Sequence, residues 1–231
     1  MSRVVTVDKI PSAHSEYLQA IFALEEGGIA AIQARIGDWL GVSRASVSEM
    51  VRKLYAEGMV AETTGPVRLT DEGRTIAESV VRRHRLAECF LADMLSLSWV
   101  KVHAEAALWE HVISEDVEAA LRSVMDDPKT CPHGNPIPGM GYVAPDTVAI
   151  SEMQVGDRGK VERVSEELEG DLEMMGFLDE SGIRPGFMID VVGRTPHDVM
   201  TVRAEGAESV GLGPFTSERI QVVQVVQVAQ V

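Results

Sequence analysis

The sequence predicts a mainly α-helical protein that ends in a β-rich domain. Apolar residues recur at helical spacing in the N-terminal half, Pro and Gly are dense between residues 128 and 149, and β-branched residues alternate between glycines beyond that run. A chain of 231 residues suits two or three small domains. We therefore expect domains over residues 1–76, 77–127 and 150–231, with residues 128–149 as a linker.

The N-terminal region predicts three helices in succession. Residues 15–24 carry an apolar stripe that ends at a pair of glycines, and residues 32–40 form an amphipathic segment that stops at Gly41. Ser43 is placed to cap a third helix, which runs to Gly58. Two short helices joined by a turn containing Gly are typical of a helix-turn-helix.

The segment after the third helix predicts a wing of two short strands, residues 60–70, around the turn at Gly65 and Pro66. With this wing, the three helices favour DNA binding over a three-helix module that binds no nucleic acid. The expected DNA-contacting residues are Arg35, Ser43, Arg44, Ala45, Ser46, Ser48, Glu49, Arg52, Lys53 and Arg68. Among them Glu49 is unusual, because a carboxylate can accept a hydrogen bond from cytosine but repels phosphate.

The formal net charge of −15 opposes nucleic-acid binding, which depends on Lys and Arg releasing counterions from phosphates. Much of the acid, however, lies in the C-terminal part, for example within residues 166–173, and an excess of carboxylates also suits divalent cations. The sequence has no apolar run that spans a bilayer and no signal-peptide core, so we expect a cytoplasmic protein. Two cysteines are too few for a disulfide framework.

Candidate metal ligands occur at helical spacing in two places: His84 and Glu88, and then His103, Ala107, Glu110 and His111. Ligand-type side chains on a core-facing stripe are costly to bury unpaired, so a metal ion would neutralise them. An exposed basic strip around His84 and a solvated Glu110–His111 pair explain the same residues without a metal. Spacing alone leaves both explanations open.

Beyond the linker, residues 159–164, 188–192 and 200–203 predict β-strands, and residues 168–178 predict one short helix. The Val/Gln-rich end, residues 220–231, predicts a last strand followed by a low-complexity tail. Within the linker, Cys131 and His133 stand two residues apart, a pair that is more often incidental than a zinc site.

Three segments, residues 81–88, 101–114 and 134–139, closely resemble the diphtheria toxin repressor family of iron-dependent and manganese-dependent regulators. The resemblance covers the N-terminal two thirds well and the C-terminal third weakly. It implies a winged helix-turn-helix domain, a helical metal-binding and dimerisation domain, and a small SH3-like β-barrel. It also implies a homodimeric repressor of metal-homeostasis genes, without enzymatic activity, that binds a palindromic operator with Mn(II) or Fe(II) at two sites per subunit. The dimer interface would be the apolar surface of the helices between residues 88 and 124.

The resemblance also distributes the ligands between two sites. Those implied for an ancillary site are His84, Glu88 and His103, completed from the C-terminal domain by Glu173, with Asp171 as the next candidate. Those implied for the primary, DNA-activating site are Glu16, Ala107, Glu110 and His111. Glu16 stands where iron-responsive members place Met, and this hard oxygen ligand favours manganese. Ala107 stands where the family places Cys or Glu, so its carbonyl, Gln19 or water would have to complete the site.

Two other functions fit parts of the pattern. A metallohydrolase would use the His and Glu residues with an open coordination position, although no further nucleophile or base accompanies them. A winged-helix regulator could instead respond to another signal, with Ala107 marking a primary metal site that has decayed.

Overall fold

The computed structural model of the protein describes residues 10–225 and divides them into two compact units. The first unit contains the described residues up to Ala87, together with Ala106–Asp127 and Ile137–Gly139. The second contains Glu88–Glu105, Pro128–Pro136 and the described residues from Met140 onward. The end of the predicted Val/Gln-rich tail, residues 226–231, lies outside the described residues.

Helices dominate the N-terminal half, as predicted. They are α1 (Ser12–Glu26), α2 (Gln33–Leu40), α3 (Arg44–Ala56), α4 (Asp71–Cys89), α5 (Val102–Trp109) and α6 (Glu115–Val124). Gly41 ends α2 with a positive φ of 65°, and the Ser43 hydroxyl accepts a hydrogen bond from the Ser46 backbone N–H at 3.1 Å. Buried apolar residues of α1 to α4, such as Leu18, Ile36 and Leu54, form one core within the first unit.

The predicted wing is not a regular pair of strands. Residues 60–70 form isolated bridges, between Val60 and Leu69 and between Pro66 and Ile32, the residue before α2. Gly65 adopts a positive φ of 72°, and Pro66 has no backbone N–H to add to a ladder. The two sides of the wing pair briefly, with the Ala61 N–H donating to the Arg68 carbonyl at 2.8 Å, and the tip pairs in addition with the segment before α2.

Helix covers most of residues 71–124, with two interruptions. A π-helical segment, Phe90–Met94, follows α4, and Ser96 beyond it has a φ of 55°. A second break separates α5 from α6, where the Ser114 hydroxyl caps α6 by accepting from the Val117 N–H at 3.3 Å. No helix in the described part of the chain is long and apolar enough to cross a membrane.

The second unit is built on an antiparallel six-stranded sheet with the strand order β1-β6-β2-β3-β4-β5. The strands are β1 (Val148–Ala149), β2 (Arg158–Val164), β3 (Met188–Arg194), β4 (Met200–Ala204), β5 (Ser209–Leu212) and β6 (Ile220–Gln224). The pairs Val161–Val222 and Val191–Val202 are in register, and all four side chains are buried in one core. The four predicted strands, including the last one at the start of residues 220–231, are therefore present, and β1 and β5 were not predicted.

Short helices accompany the sheet: α7 (Glu166–Glu169), α8 (Leu172–Glu180) and α9 (Pro214–Ser217). The single helix predicted over residues 168–178 is thus two helices. They separate because the Asp171 carboxylate caps α8 by accepting from the backbone N–H groups of Glu173 and Met174 at 3.1 and 3.0 Å.

Part of the predicted linker is fixed structure in the second unit. Cys131, His133 and Asn135 are buried. The Val164 N–H donates to the His133 carbonyl at 2.9 Å, and the Asn135 amide donates to the Val164 carbonyl at 2.8 Å. At Gly134, a Cβ would lie 2.0 Å from the carbonyl oxygen of Glu162. The segment 131–135 is therefore fastened to β2 through main-chain contacts that leave no room for a side chain at Gly134.

Gly134→Ala is expected to lower the free energy of unfolding by about 2 to 4 kcal/mol, because it adds a backbone clash to the strain of a positive φ. Gly141→Ala is the control, since φ there is also positive but no atom lies within 4 Å of the added Cβ; its cost is about 1 to 2 kcal/mol. Urea unfolding monitored by circular dichroism measures both. Equal losses would contradict the close packing of segment 131–135.

Candidate metal centres

Glu110 is the centre of a polar group in the first unit. It follows directly after α5 and is only 4% exposed. His84 Nδ1 lies 2.5 Å from Glu110 Oε2, His111 Nε2 lies 3.4 Å from Oε1, and Gln19 Nε2 lies 3.5 Å from Oε2. A buried carboxylate thus gathers donors from α1, α4 and the end of α5, with two ligand-type residues, Glu110 and His111, adjacent in sequence.

A cleft of about 140 Å³ opens beside this carboxylate. Its lining residues are Ile10, Ser12, Ser15, Val80, Arg83, Glu110 and His111. Arg83 donates from Nε to Glu118 Oε2 at 3.1 Å, and Arg82 donates to the other oxygen of Glu118 at 2.5 Å. The cleft wall therefore offers a carboxylate, an imidazole and two hydroxyls within the first unit.

Two residues that the resemblance assigns to the primary site do not line this cleft. Glu16 is exposed on α1, and Ala107 is exposed in the last turn of α5. Gln19, considered at the sequence level only as a replacement ligand, reaches Glu110 instead. His84, assigned to the ancillary site, contacts the same carboxylate. The structure therefore brings together Glu110, His111, Gln19 and His84.

A second group of candidate ligands lies within the second unit. His103 Nδ1 is 2.9 Å from Glu169 Oε2 and 3.3 Å from Glu88 Oε1. His133 Nδ1 is 3.3 Å from Glu169 Oε2 and 3.4 Å from Glu88 Oε1. The ligand atoms of Glu88, His103 and Glu169 all lie within 4.8 Å of one another, as do those of Glu88, Cys131 and His133. The two sets share Glu88.

Burial and the neighbouring carboxylates shift the pKa values of this group. Burial and the neighbouring Glu88 carboxylate raise the pKa of Glu169, although His133 and His103 oppose that rise. Burial lowers the pKa of His133, but Glu169 and Glu88 outweigh burial and raise it overall. Each group thus favours holding a proton in the pocket.

The group fits a divalent cation. Glu169 Oε2 is buried and, among the described atoms, has no hydrogen bond of good geometry, although two imidazole nitrogens lie close to it. Two carboxylates that are 0% and 1% exposed are costly without compensating positive charge. Carboxylate, imidazole and thiol are ligand types of first-row metals. These residues can therefore hold a metal ion.

Two sequence-level assignments change in this unit. Glu173, chosen as the ligand from the C-terminal domain, is exposed in the first turn of α8, and Asp171 is engaged as the cap of that helix. Glu169, at the end of α7, takes this place, and the Asn135 amide donates to its Oε1 at 2.6 Å. Cys131 and His133, predicted to be incidental, are both buried beside Glu88 and so join the candidate ligands. Their position directly before the family-like segment 134–139 was the sequence feature that could have revealed them.

The third helix presents the predicted DNA-contacting face. Val47, Val51 and Leu54 of α3 are wholly buried, whereas Arg44, Ser46, Glu49, Arg52 and Lys53 are exposed. Ser43, Ala45 and Arg68 are also exposed and Ser48 is half-buried; Arg35 is exposed and donates to the Ala30 carbonyl at 3.0 Å. Apolar burial on one side therefore leaves a polar, partly basic face in solvent.

Comparison with known protein families gives three matches along the chain. Residues 11–64 match the family described as iron dependent repressor, N-terminal DNA binding domain. Residues 70–139 match iron dependent repressor, metal binding and dimerisation domain, and residues 148–224 match the FeoA domain.

Full-length relatives are similar along almost the whole chain. The iron-dependent repressor IdeR of Mycobacterium bovis is 35% identical over 221 residues, covering 90% of this chain and 96% of the relative. The diphtheria toxin repressor of Corynebacterium glutamicum is 36% identical over 204 residues, covering 84% and 90%. A solved manganese-dependent transcriptional repressor in complex with manganese aligns with a TM-score of 0.81 at 31% identity, covering 92% of this chain and all of that one. The chain therefore belongs to the iron-dependent repressor family.

Proposed function

We propose that this protein is a transcriptional repressor that binds operator DNA as a homodimer when Mn(II) or Fe(II) occupies its metal sites. The observation that carries the proposal is the buried Glu110 carboxylate, which is contacted from α1 and lies in the same unit as the exposed, partly basic face of α3. The similarity to iron-dependent and manganese-dependent repressors supports it. Metal-homeostasis genes are the proposed targets.

The primary site is proposed to consist of Glu110 and His111 with ligands from α1. Glu16 lies three residues before Gln19, so both belong to one face of α1, and Gln19 already contacts Glu110. Ala107 lies in the last turn of α5, where backbone carbonyls lack helical partners, so its carbonyl oxygen can serve where its methyl group cannot. His84 orients the Glu110 carboxylate through Nδ1.

This arrangement provides a switch. A divalent cation supplies the positive charge that joins the carboxylate of Glu110 to ligands on α1. Residues of α1 would then hold the DNA-binding helices at a fixed position relative to Glu110 in the first unit. A dimer that reads a palindromic operator needs a fixed spacing between its two α3 helices. A ligand that binds better to the correctly spaced state shifts the population toward it.

A second, ancillary site is proposed at Glu88 and Glu169, with two sets of nitrogen and sulfur donors. His103 completes a set of hard oxygen and nitrogen ligands that suits Mn(II) or Fe(II), whereas Cys131 and His133 offer a softer set that suits Zn(II). The resemblance adds His84, one turn before Glu88 on α4. Its Nδ1 lies 2.5 Å from Glu110 Oε2, so His84 also contacts the proposed primary site.

The DNA and dimer surfaces follow from exposed side chains. Arg52 and Lys53 lie at the C-terminal end of α3 and suit phosphate contacts, while Ser46 lies near its start, where side chains reach base edges. Arg52 and Lys53 would supply local positive charge for phosphate contacts although the whole chain has a net charge of −15. Four apolar side chains that single-chain packing leaves exposed are the proposed dimer contacts: Leu108, Val112, Val117 and Val124.

Glu110→Gln is expected to abolish metal-stimulated operator binding, because it removes the anionic ligand of the primary site and leaves α3 intact. Fluorescence anisotropy with a palindromic operator, in a titration of metal-free protein with Mn(II) or anaerobic Fe(II), measures the effect. Glu105→Gln is the matched control, since Glu105 is an exposed carboxylate on α5. A variant that still needs metal for tight DNA binding contradicts the primary-site assignment, and wild-type protein that binds equally with and without metal contradicts the proposed function.

Cys131→Ser is expected to weaken Zn(II) binding at least tenfold while changing Mn(II) affinity little, because a thiolate is a soft ligand and Mn(II) prefers oxygen and nitrogen. Competition with a chromophoric chelator measures both affinities. Cys89→Ser is the control: Cys89 is also buried, but its Sγ donates to the Thr130 carbonyl at 3.4 Å. Equal effects on both metals, or none on either, would exclude Cys131 as a ligand.

Arg52→Ala is expected to weaken the binding of operator and non-operator DNA by a similar factor. It should also reduce the slope of log K against log salt concentration by about 1, as the loss of one phosphate contact does. Anisotropy over a range of KCl concentrations measures the slope. Arg203→Ala, which removes an exposed cation from β4, should leave it unchanged. An unchanged slope for Arg52→Ala would place the DNA elsewhere on the protein.

A further inference from the structure

We propose that Trp99 is a positioning residue that holds segment 131–133 in register and directs Nδ1 of His133 toward the proposed metal site. The inference rests on the proposed ancillary site, of which Cys131 and His133 form the softer ligand set. Trp99 is half-buried and packs against the core of the second unit.

The side chain of Trp99 reaches the middle of the ligand segment. Its indole Nε1 donates a hydrogen bond to the Pro132 carbonyl at 3.0 Å. Pro132 stands between the two candidate ligands, so this bond fixes the main chain from which Cys131 and His133 both project. An indole N–H can only donate and a carbonyl can only accept, so no alternative polarity exists for this contact.

The backbone of Trp99 determines which nitrogen of His133 carries the proton. His133 Nε2 lies 3.0 Å from the Trp99 carbonyl oxygen. Because that oxygen can only accept, Nε2 must carry the hydrogen, and a neutral imidazole then has its lone pair on Nδ1. His133 Nδ1 is the atom that lies 3.4 Å from Glu88 Oε1 and 4.0 Å from Cys131 Sγ. Metal-binding histidines commonly donate their other N–H to a carbonyl in this way.

The ring of Trp99 also packs against the ring of His133. The centroids of the Trp99 and His133 rings are 5.0 Å apart with the planes tilted by 50°, and the guanidinium carbon of Arg184 lies 5.6 Å from the centroid of the Trp99 ring. Trp99 thus contacts the donor segment through its N–H, its carbonyl and its ring. A residue held on several sides loses little freedom when a metal binds, which favours affinity.

Trp99→Phe tests the role because it keeps an aromatic ring and removes the N–H. The substitution leaves the backbone carbonyl in place but removes the bond to Pro132 that holds His133 against that carbonyl. In metal-free protein at alkaline pH, two-dimensional ¹⁵N NMR of the histidine rings is therefore expected to show the Nε2–H form of His133 in wild type and a mixture with the Nδ1–H form in the variant. Zn(II) affinity at this site is expected to fall about tenfold, as it does when outer hydrogen bonds to metal ligands are removed. Trp39→Phe, on α2 of the first unit, should change neither quantity.

Replacement of Trp99 by benzothienylalanine, in which sulfur takes the place of the indole N–H, preserves the ring shape and should reproduce both effects even if phenylalanine disturbs packing. An unchanged tautomer and unchanged Zn(II) affinity in a folded variant overturn the role of Trp99. Failure of wild-type protein to bind Zn(II) through Cys131 contradicts instead the proposed ancillary site, and the NMR measurement on metal-free protein distinguishes the two failures.

Discussion

The burial of carboxylates without enough positive charge is the constraint on which the rest of the structure depends. Glu88, Glu110 and Glu169 are each no more than 4% exposed, and each lies against an imidazole. An imidazole neutralises a carboxylate only when protonated, and a protonated imidazole cannot bind a metal through the same nitrogen. The fold therefore maintains groups whose charge balance is best completed by a cation.

The same constraint explains why the Pro- and Gly-rich segment is ordered. Cys131, His133 and Asn135 are side chains that contact the acidic cluster of the second unit, and they can do so only if the main chain between them is held tightly. Gly134 provides the close approach to β2, and the Asn135 amide satisfies one oxygen of Glu169. Composition suggested a flexible linker, but burial of polar groups requires partners, and this segment supplies them.

Local patterns predicted local structure well. The Ser43 cap, the stop at Gly41 and the three alternating strands depend on neighbours in sequence, and each is present. The site was predicted less completely. Glu110 and His111 were singled out because they follow His103 at helical spacing. Glu169 was missed in favour of Glu173 because the packing of the second unit brings the end of α7 to His103, and helical spacing does not encode that contact. The added bridge between the wing and Ile32, the residue before α2, was missed for a related reason, since it joins residues distant in sequence.

The two departures from the family pattern act on the same property of the primary site, the hardness of its ligands. A carboxylate at Glu16 and a backbone oxygen at Ala107 would replace thioether and thiolate, and Gln19 adds an amide oxygen on the same face of α1. With Glu110, all these donors are oxygen, leaving His111 as the one nitrogen ligand in the proposed set. Sites rich in oxygen ligands suit Mn(II). In such sites the affinity for softer ions exceeds the affinity for Mn(II) by a smaller factor than in sites with sulfur ligands. The proposed ancillary site includes the Cys131 thiol, so its ligand set is softer. The two sites of one chain would thus differ in their order of metal affinities. Only metal binding at the site that includes α1 would change the affinity for DNA.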